Sequence, residues 1–250
     1  MPTPFTHLMF AQRLLASHSQ HTDTNHVSLL ESERGAFLLG SVAADARIGA
    51  MLPREKTHFY VYGQETSENP WRVMLREYPA LWTPHSAAHR AFIAGYIGHL
   101  AMDEIWSKQM MGPYFVAREW GPRSLRYLML HIILIYMDER DLSQIEPWQA
   151  PALETAQPEA WLPFMSDADL AGWQYLIYDQ IRPGGASQTL EIFGERVIKT
   201  PSELRAILDD PATMQRDLWQ HIPPLVLEEV EVAMFRYACA SIAEYLSAVI

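Results

Sequence analysis

From residue 91 to 102 the sequence reads AFIAGYIGHLAM, a run that is apolar on nearly every side of a helix. Such a helix belongs in the middle of a domain, not on its surface. His99 is its only strongly polar group, and Asp103 follows one turn later. At this spacing the two side chains project about 40° apart on one face. Phe92, Gly95 and Tyr96 share that face, and Gly95 would let another element approach closely. Burying an imidazole and a carboxylate costs several kcal/mol unless each is paired or bound to a metal. The chain must therefore bring partners to His99 and Asp103 from elsewhere.

At 250 residues the chain can form one large domain or two small ones, and either can bury a real core. Its net charge of −11 argues against a large nucleic-acid surface and against adhesion to anionic membranes. A small phosphate-containing substrate stays compatible, because a metal can supply positive charge locally. The single cysteine, Cys239, sits in an apolar helical run and reads as a buried core thiol. The opening MPTPFTHLMF lacks the pattern of a signal peptide. Residues 128–137 are too few for a membrane span, which needs about 20. A cytoplasmic protein is expected, and self-association is left open.

Thr3 and Pro4 suit the start of a first helix ending near Ala16, with His7 pointing inward. Residues 18–26, with His18, His21 and His26, read as an exposed polar loop. A helix is expected over 28–44 with a break near Gly35 or Gly40, ending with Asp45 beside an apolar run. His58 falls in THFY, an irregular or briefly extended segment. A short helix follows over 71–78. Pro84 opens the central helix, expected over 85–111 and ended by Gly112-Pro113, with a short helix after it. Another apolar helix, SLRYLMLHIILIYMDERD, carries His131 in its middle.

Beyond it, residues 143–166 read as a proline-rich linker or surface wrap, with Pro147, Pro151, Pro158 and Pro163. Residues 167–250 then form a C-terminal helical segment packing on a metal-binding core of residues 1–142. A helix over 167–181 is followed by the RPGGASQ turn. TLEIFGERVIKT is the one segment that suggests a hairpin. Short helices follow, then a long one after Pro223-Pro224. The expected class is all-α, a multi-helix single domain around a central buried helix.

Histidine and carboxylate side chains meeting in a helical core commonly hold a metal. His7, Asp45, His58, His99 and Asp103 all lie on or beside apolar segments and form the candidate ligand set. Chance pairs with similar spacing also occur. Asp217 and His221 read as a helix-end pair suited to the dipole. His85 and His89 also have metal-type spacing but sit in polar opening turns, which favours surface or hydrogen-bonding roles and leaves a supporting metal role open. Asp138 lies about 10.5 Å along the axis from His131, long for two ligands of one ion. His131 reads either as a core histidine bonded to a carbonyl or carboxylate, or, with Asp138, as a supporting or second-metal group.

The ordered series FTHLMFAQRLL, FLLGSVAADARI, KTHFY and AFIAGYIGHLAMDEIW resembles the bacterial zinc-dependent phospholipase C family, related to the single-strand-specific zinc nucleases. The resemblance covers about residues 1–140, with these motifs in the first 110. It implies a mostly helical domain holding a cluster of up to three zinc ions. By resemblance, Asp45, His58, His99 and Asp103 match one zinc position, and Asp103 bridges to a neighbouring ion held with His7. The family also uses the amine and carbonyl of an N-terminal tryptophan, which is absent here; methionine removal would leave Pro2. At the third zinc position the family's histidine is replaced by Gln109, and its later carboxylate by Ile135. The resemblance therefore implies one or two zinc ions.

The activity so implied is hydrolysis of a small phosphoester or phospholipid headgroup by metal-activated water, with Asp45 or Asp103 as the catalytic carboxylate. Two rivals remain: a zinc-stabilised helical protein without catalysis, and core polar residues with no metal. Nucleotide phosphohydrolases need an adjacent His-Asp dipeptide, which does not occur. Di-iron bundles need paired Glu-x-x-His motifs, and only Glu55/His58 has that form, in a segment that does not look helical.

Overall fold

Ala87–Ile105 (19 residues) is the axis on which the remaining helices pack, and fifteen of its positions, including His99 and Asp103, are buried. The computed structural model describes residues 2–16, 24–61 and 68–249. Among these residues there is no strand, and the helices run α1 (Pro4–Ala16), α2 (Thr24–Ser32), α3 (Arg34–Ala43), α4 (Glu55–His58) and α5 (Pro70–Glu77). They continue with α6 (Ala87–Ile105), α7 (Arg123–Leu142), α8 (Gln149–Glu154), α9 (Asp167–Ile181), α10 (Thr189–Val197), α11 (Pro201–Leu208), α12 (Pro211–Met214) and α13 (Pro224–Ala248). The expected all-α class is what the chain adopts. None of the described helices is long and apolar enough to cross a membrane.

α6 lies between α3 and α13. Glycine decides the first contact: a Cβ on Gly40 would run into the Phe92 backbone, and one on Gly95 into the Phe37 carbonyl. The α3 and α6 backbones therefore nearly touch, as the placement of Gly95 on the His99 face predicts. On another side, Gly98 receives Ile242 of α13 and Phe10 of α1. One apolar core results, running from Phe5 to Val249 and including Leu38, Phe92, Ile97, Ile133 and Tyr245. Cys239 is buried in it, and burial raises its thiol to about 12.

Several local expectations give way to tertiary packing. The central helix begins one turn after Pro84, capped by Ser86, whose hydroxyl accepts the His89 N–H at 3.1 Å. It does not stop at Gly112-Pro113 but continues in a wider π-helical form over Trp106–Ala117 with Pro113 inside. A π turn makes room for a residue without an N–H, and burial of Trp106, Met110 and Phe115 holds it there. The break between α2 and α3 falls at Glu33, ahead of both glycines. His26 belongs to α2 rather than to a loop, whereas His18 and His21 lie outside the described residues.

TLEIFGERVIKT is helical, not a hairpin. Thr189, Phe193 and Val197 recur every four residues on the inward side, and no neighbouring strand exists among the described residues to pair with. Ile198, at φ 56, closes the helix in the left-handed region that the glycine had suggested for a turn. The proline-rich stretch contains α8 and buries Trp161 and Leu162. It is fastened to the central helix through His85 and His89, whose Nε2 atoms lie 3.1 Å from the Glu159 carbonyl and 2.9 Å from that of Trp161.

Candidate metal centre

Four segments converge around His99 and Asp103. α1 supplies His7, the 3-10 turn Ala44–Ile48 after α3 supplies Asp45, α4 supplies His58 and α6 supplies His99 and Asp103. The five residues of the candidate ligand set thus lie together, in two overlapping groups able to hold a metal ion: His7, His99 and Asp103, and Asp45, His58 and His99. His58 comes from a four-residue helix, not the irregular segment expected. That helix ends because Phe59 turns left-handed at φ 59 and returns its N–H to the Glu55 carbonyl. Glu55 itself is exposed, so the Glu-x-x-His pattern does not converge on the cluster.

The spacings are those of ligands around an ion, not of hydrogen bonds. Nε2 of His99 and of His58 each stand 3.4 Å from Asp103 Oδ2. His58 Nε2 is 3.5 Å from Asp45 Oδ1, and His7 Nε2 is 3.6 Å from Asp103 Oδ1. A charge-assisted N–H···O bond would close to about 2.8 Å. Nitrogen and oxygen ligands held tetrahedrally at about 2.1 Å from one ion stand about 3.4 Å from each other. Nε2 of His7, His58 and His99 and Oδ1 of Asp103 are buried without a hydrogen-bond partner. Buried polar groups are seldom left so, and metal ions held by the two overlapping groups would satisfy them.

The opposite ring nitrogens fix the tautomers. His99 Nδ1 lies 2.8 Å from the Ser41 carbonyl, to which it can only donate, so in the neutral ring Nε2 carries the lone pair. His58 Nδ1 lies 2.9 Å from the Thr57 hydroxyl, whose own hydrogen goes to the Arg54 carbonyl at 3.3 Å. The hydroxyl therefore accepts from Nδ1, and His58 Nε2 is bare as well. Tyr96 steadies this turn by donating to the Thr57 carbonyl at 2.8 Å. Such outer partners orient ligating histidines. The Ser41 contact depends on the glycine-mediated approach of α3 to α6.

Charge is held in check within the cluster. Burial lowers His58 to about 4, against the pull of Asp45 and Asp103. Burial and the nearby His99 likewise lower His7. The His7 and His99 rings stack at 3.8 Å, so both cannot comfortably carry a proton. His99 moves up: burial opposes its charge, but the carboxylates of Asp103 and Asp45 outweigh it. Burial also works against the Asp103 charge, yet His99 and His7 hold this carboxyl well below its usual range. Asp45 is lowered in the same way, with His58 and His99 overcoming burial.

His131 and Asp138 stand apart from both donor groups. His131 Nδ1 donates to the Tyr127 carbonyl at 2.8 Å, one turn back on α7, and its ring meets Phe193 edge-on. Asp138 accepts from the Thr189 hydroxyl, tying α7 to α10, and lies beside Thr3 and Phe5 at the start of α1. Gln109 is exposed and Ile135 is packed in the core. Asp217 pairs with Arg216, while His221 stacks on Trp120 at 4.5 Å.

Sequence reasoning passed over Arg54. Its Nη2 lies 3.3 Å from Asp103 Oδ2 and 2.9 Å from the Tyr60 hydroxyl, with the guanidinium 4.9 Å from the Tyr60 ring centre. Its i, i+4 relation to His58 would have placed it on the same side, had EKTH been read as a helical turn. The side chain of Asp45 is 22% exposed, while those of His7, His58 and Asp103 are at 0% and His99 at 1%. Two surface clefts, of about 330 Å³ beside Thr6 and Phe235 and about 430 Å³ beside Gly35 and Trp161, are not lined by any of the five. No family model, curated protein or solved structure matches this chain.

Proposed function

We propose that this protein is a zinc-dependent hydrolase of phosphoesters, acting on a small phosphoester or a phospholipid headgroup. The observation that carries this reading is the set of buried, partnerless imidazole and carboxylate atoms standing at ligand-to-ligand distances around Asp103. Two neutral imidazoles with two carboxylate oxygens make a donor set that suits four-coordinate zinc. Asp45, His58, His99 and Asp103 Oδ2 would hold one ion. Asp103 Oδ1 and His7 are the beginning of a second position. His99 has one bare nitrogen and can serve only one of them. The sequence resemblance to zinc-dependent phospholipases points the same way.

When bound, zinc would polarise a phosphoryl oxygen and lower the pKa of a water toward neutrality. The chain's part is to aim His58 and His99, through Thr57 and Ser41, while burial keeps His58 neutral. Asp45 is the one ligand reached by solvent, so Asp45 rather than Asp103 is the carboxylate to orient the attacking water. Purified protein should carry one or two zinc equivalents by elemental analysis, and finding no metal would end this reading. Hydrolysis of bis-p-nitrophenyl phosphate or phosphatidylcholine, abolished by chelation and restored by zinc, tests the chemistry.

One observation favours a second reading, a structural zinc staple. His7, His58, His99 and Asp103 are closed off from solvent, as in sites whose coordination is complete. Under that reading chelation lowers thermal stability, while neither phosphoester turns over at any metal loading.

A further inference from the structure

Asp103 Oδ2 faces two sources of positive charge. One is an ion that the spacing of His58 and His99 around it would admit, and the other is the guanidinium of Arg54 at 3.3 Å. Arg54 is held in place on both ends. Its carbonyl accepts the His58 N–H at 2.8 Å and so closes the turn that presents His58. Its head rests on Tyr60, which the left-handed Phe59 folds back over it. The Arg54 side chain is 11% exposed and that of Asp103 is fully buried, so solvent screens little between them.

Taking the metal as proposed above, we infer that Arg54 is a resident counter-ion of Asp103 that opposes metal binding and sets the affinity of the site. In the metal-free protein it offsets a carboxylate that would otherwise be buried unneutralised. Once a divalent ion sits between His58, His99 and Asp103, the same guanidinium is a like charge a few ångströms away. That repulsion is large enough to cost well over a factor of ten in affinity at effective protein dielectrics. An outer partner that merely aims a ligand behaves in the opposite way, since its removal weakens metal binding by 10–100-fold. Asp103 does not depend on Arg54 for its aim: it is anchored on the most buried helix, with His58 and His99 at the same oxygen. The two roles therefore predict opposite signs for one measurement.

The test is zinc affinity by chelator competition, in a buffer that does not bind zinc, for the wild type, Arg54→Gln and Arg54→Lys. Thermal melts are recorded with and without metal. Arg54→Gln is expected to bind zinc about tenfold or more tightly than wild type while melting lower in the presence of chelator. Arg54→Lys, which keeps the charge, is expected to stay within a few-fold of wild type in affinity. Unchanged or weaker binding in Arg54→Gln overturns the inference and makes Arg54 an orienting group. If Arg54→Gln does not fold without metal, the Lys variant decides: tenfold weaker binding there overturns it equally. A wild type that takes up no zinc defeats the metal reading itself and is separable from both.

Discussion

His99 Nε2 and Asp103 Oδ2 face each other across 3.4 Å on one turn of α6, with His99 Nδ1 committed to the Ser41 carbonyl at 2.8 Å. The lone pair of His99 therefore has one direction to point, into the space shared with Asp103 and His58. That gap is wider than a charge-assisted hydrogen bond and matches two ligands of one ion. His99→Ala and Asp103→Ala are each expected to abolish metal retention, read by elemental analysis. Asp103→Ala should also destabilise the metal-free protein by about 3–5 kcal/mol, because it breaks a buried ion pair. Full metal content in either variant would remove the substituted residue from the site.

Metal removal has a thermal consequence. A ligand at about 1,000 times its dissociation constant stabilises the folded state by about 4 kcal/mol. For a chain of this size that corresponds to a fall in Tm of about 10 °C on chelation. Scanning calorimetry before and after chelator, then after added zinc, measures it. A Tm indifferent to chelator would mean that the five side chains are held by the core alone.

Gly40 and Gly95 set the distance between α3 and α6, and through it the Ser41 contact to His99. Gly40→Ala or Gly95→Ala places a methyl against backbone that cannot move aside, and is expected to cost about 3 kcal/mol. Gly172 on α9 is the control, because a Cβ there meets nothing within 4 Å. Gly172→Ala should gain about 0.5–1 kcal/mol from helix propensity. Urea melts of the three variants give the comparison, and equal stabilities would refute the close approach.

Asp138 makes stability depend on pH. Burial raises this carboxyl from its ordinary 3.8 to about 7, outweighing the Thr189 hydrogen bond and the nearby Thr3 and Phe5 donors that favour ionisation. The unfolded chain gives up the proton near pH 4, whereas the folded protein holds it to about pH 7. The contribution is full below pH 4 and is lost as pH rises through 7, amounting to about 4 kcal/mol. Asp138→Asn, which keeps a neutral acceptor, should be more stable than wild type at pH 8 and indistinguishable from it near pH 4. Chemical denaturation at both pH values decides it; a gap that does not change with pH would contradict a buried neutral Asp138.

Much of the site was legible because helix periodicity is a local property. The run from Ala91 to Met102 announces its own burial, and His99 with Asp103 announces a need for partners. His7 and Asp45 stand out in the same way, as polar residues on or beside apolar segments, and Pro4, Gly95 and Pro224 mark a helix start, a close crossing and another start. What went unread was where local signals and packing disagree. Gly112-Pro113 and the glycine of TLEIFGERV look like breaks, yet buried Trp106, Phe115 and Phe193 carry helical structure through both. EKTH is too short for periodicity to show, and Phe59 ends it in a conformation that no residue type there foretells.

By itself, then, the sequence determined an all-helical chain, a central buried helix, and the chemical types gathered on it. Only the tertiary structure decided that His7, Asp45 and His58 meet that helix at ligand distances, that Ser41 and Thr57 choose the tautomers, and that Arg54 shares the Asp103 carboxylate. The reason is physical. Side chains on one helix are related by a fixed pitch that can be counted along the sequence. Convergence from four separate segments depends on how closely backbones approach, which is settled by packing at places such as Gly40 and Gly95.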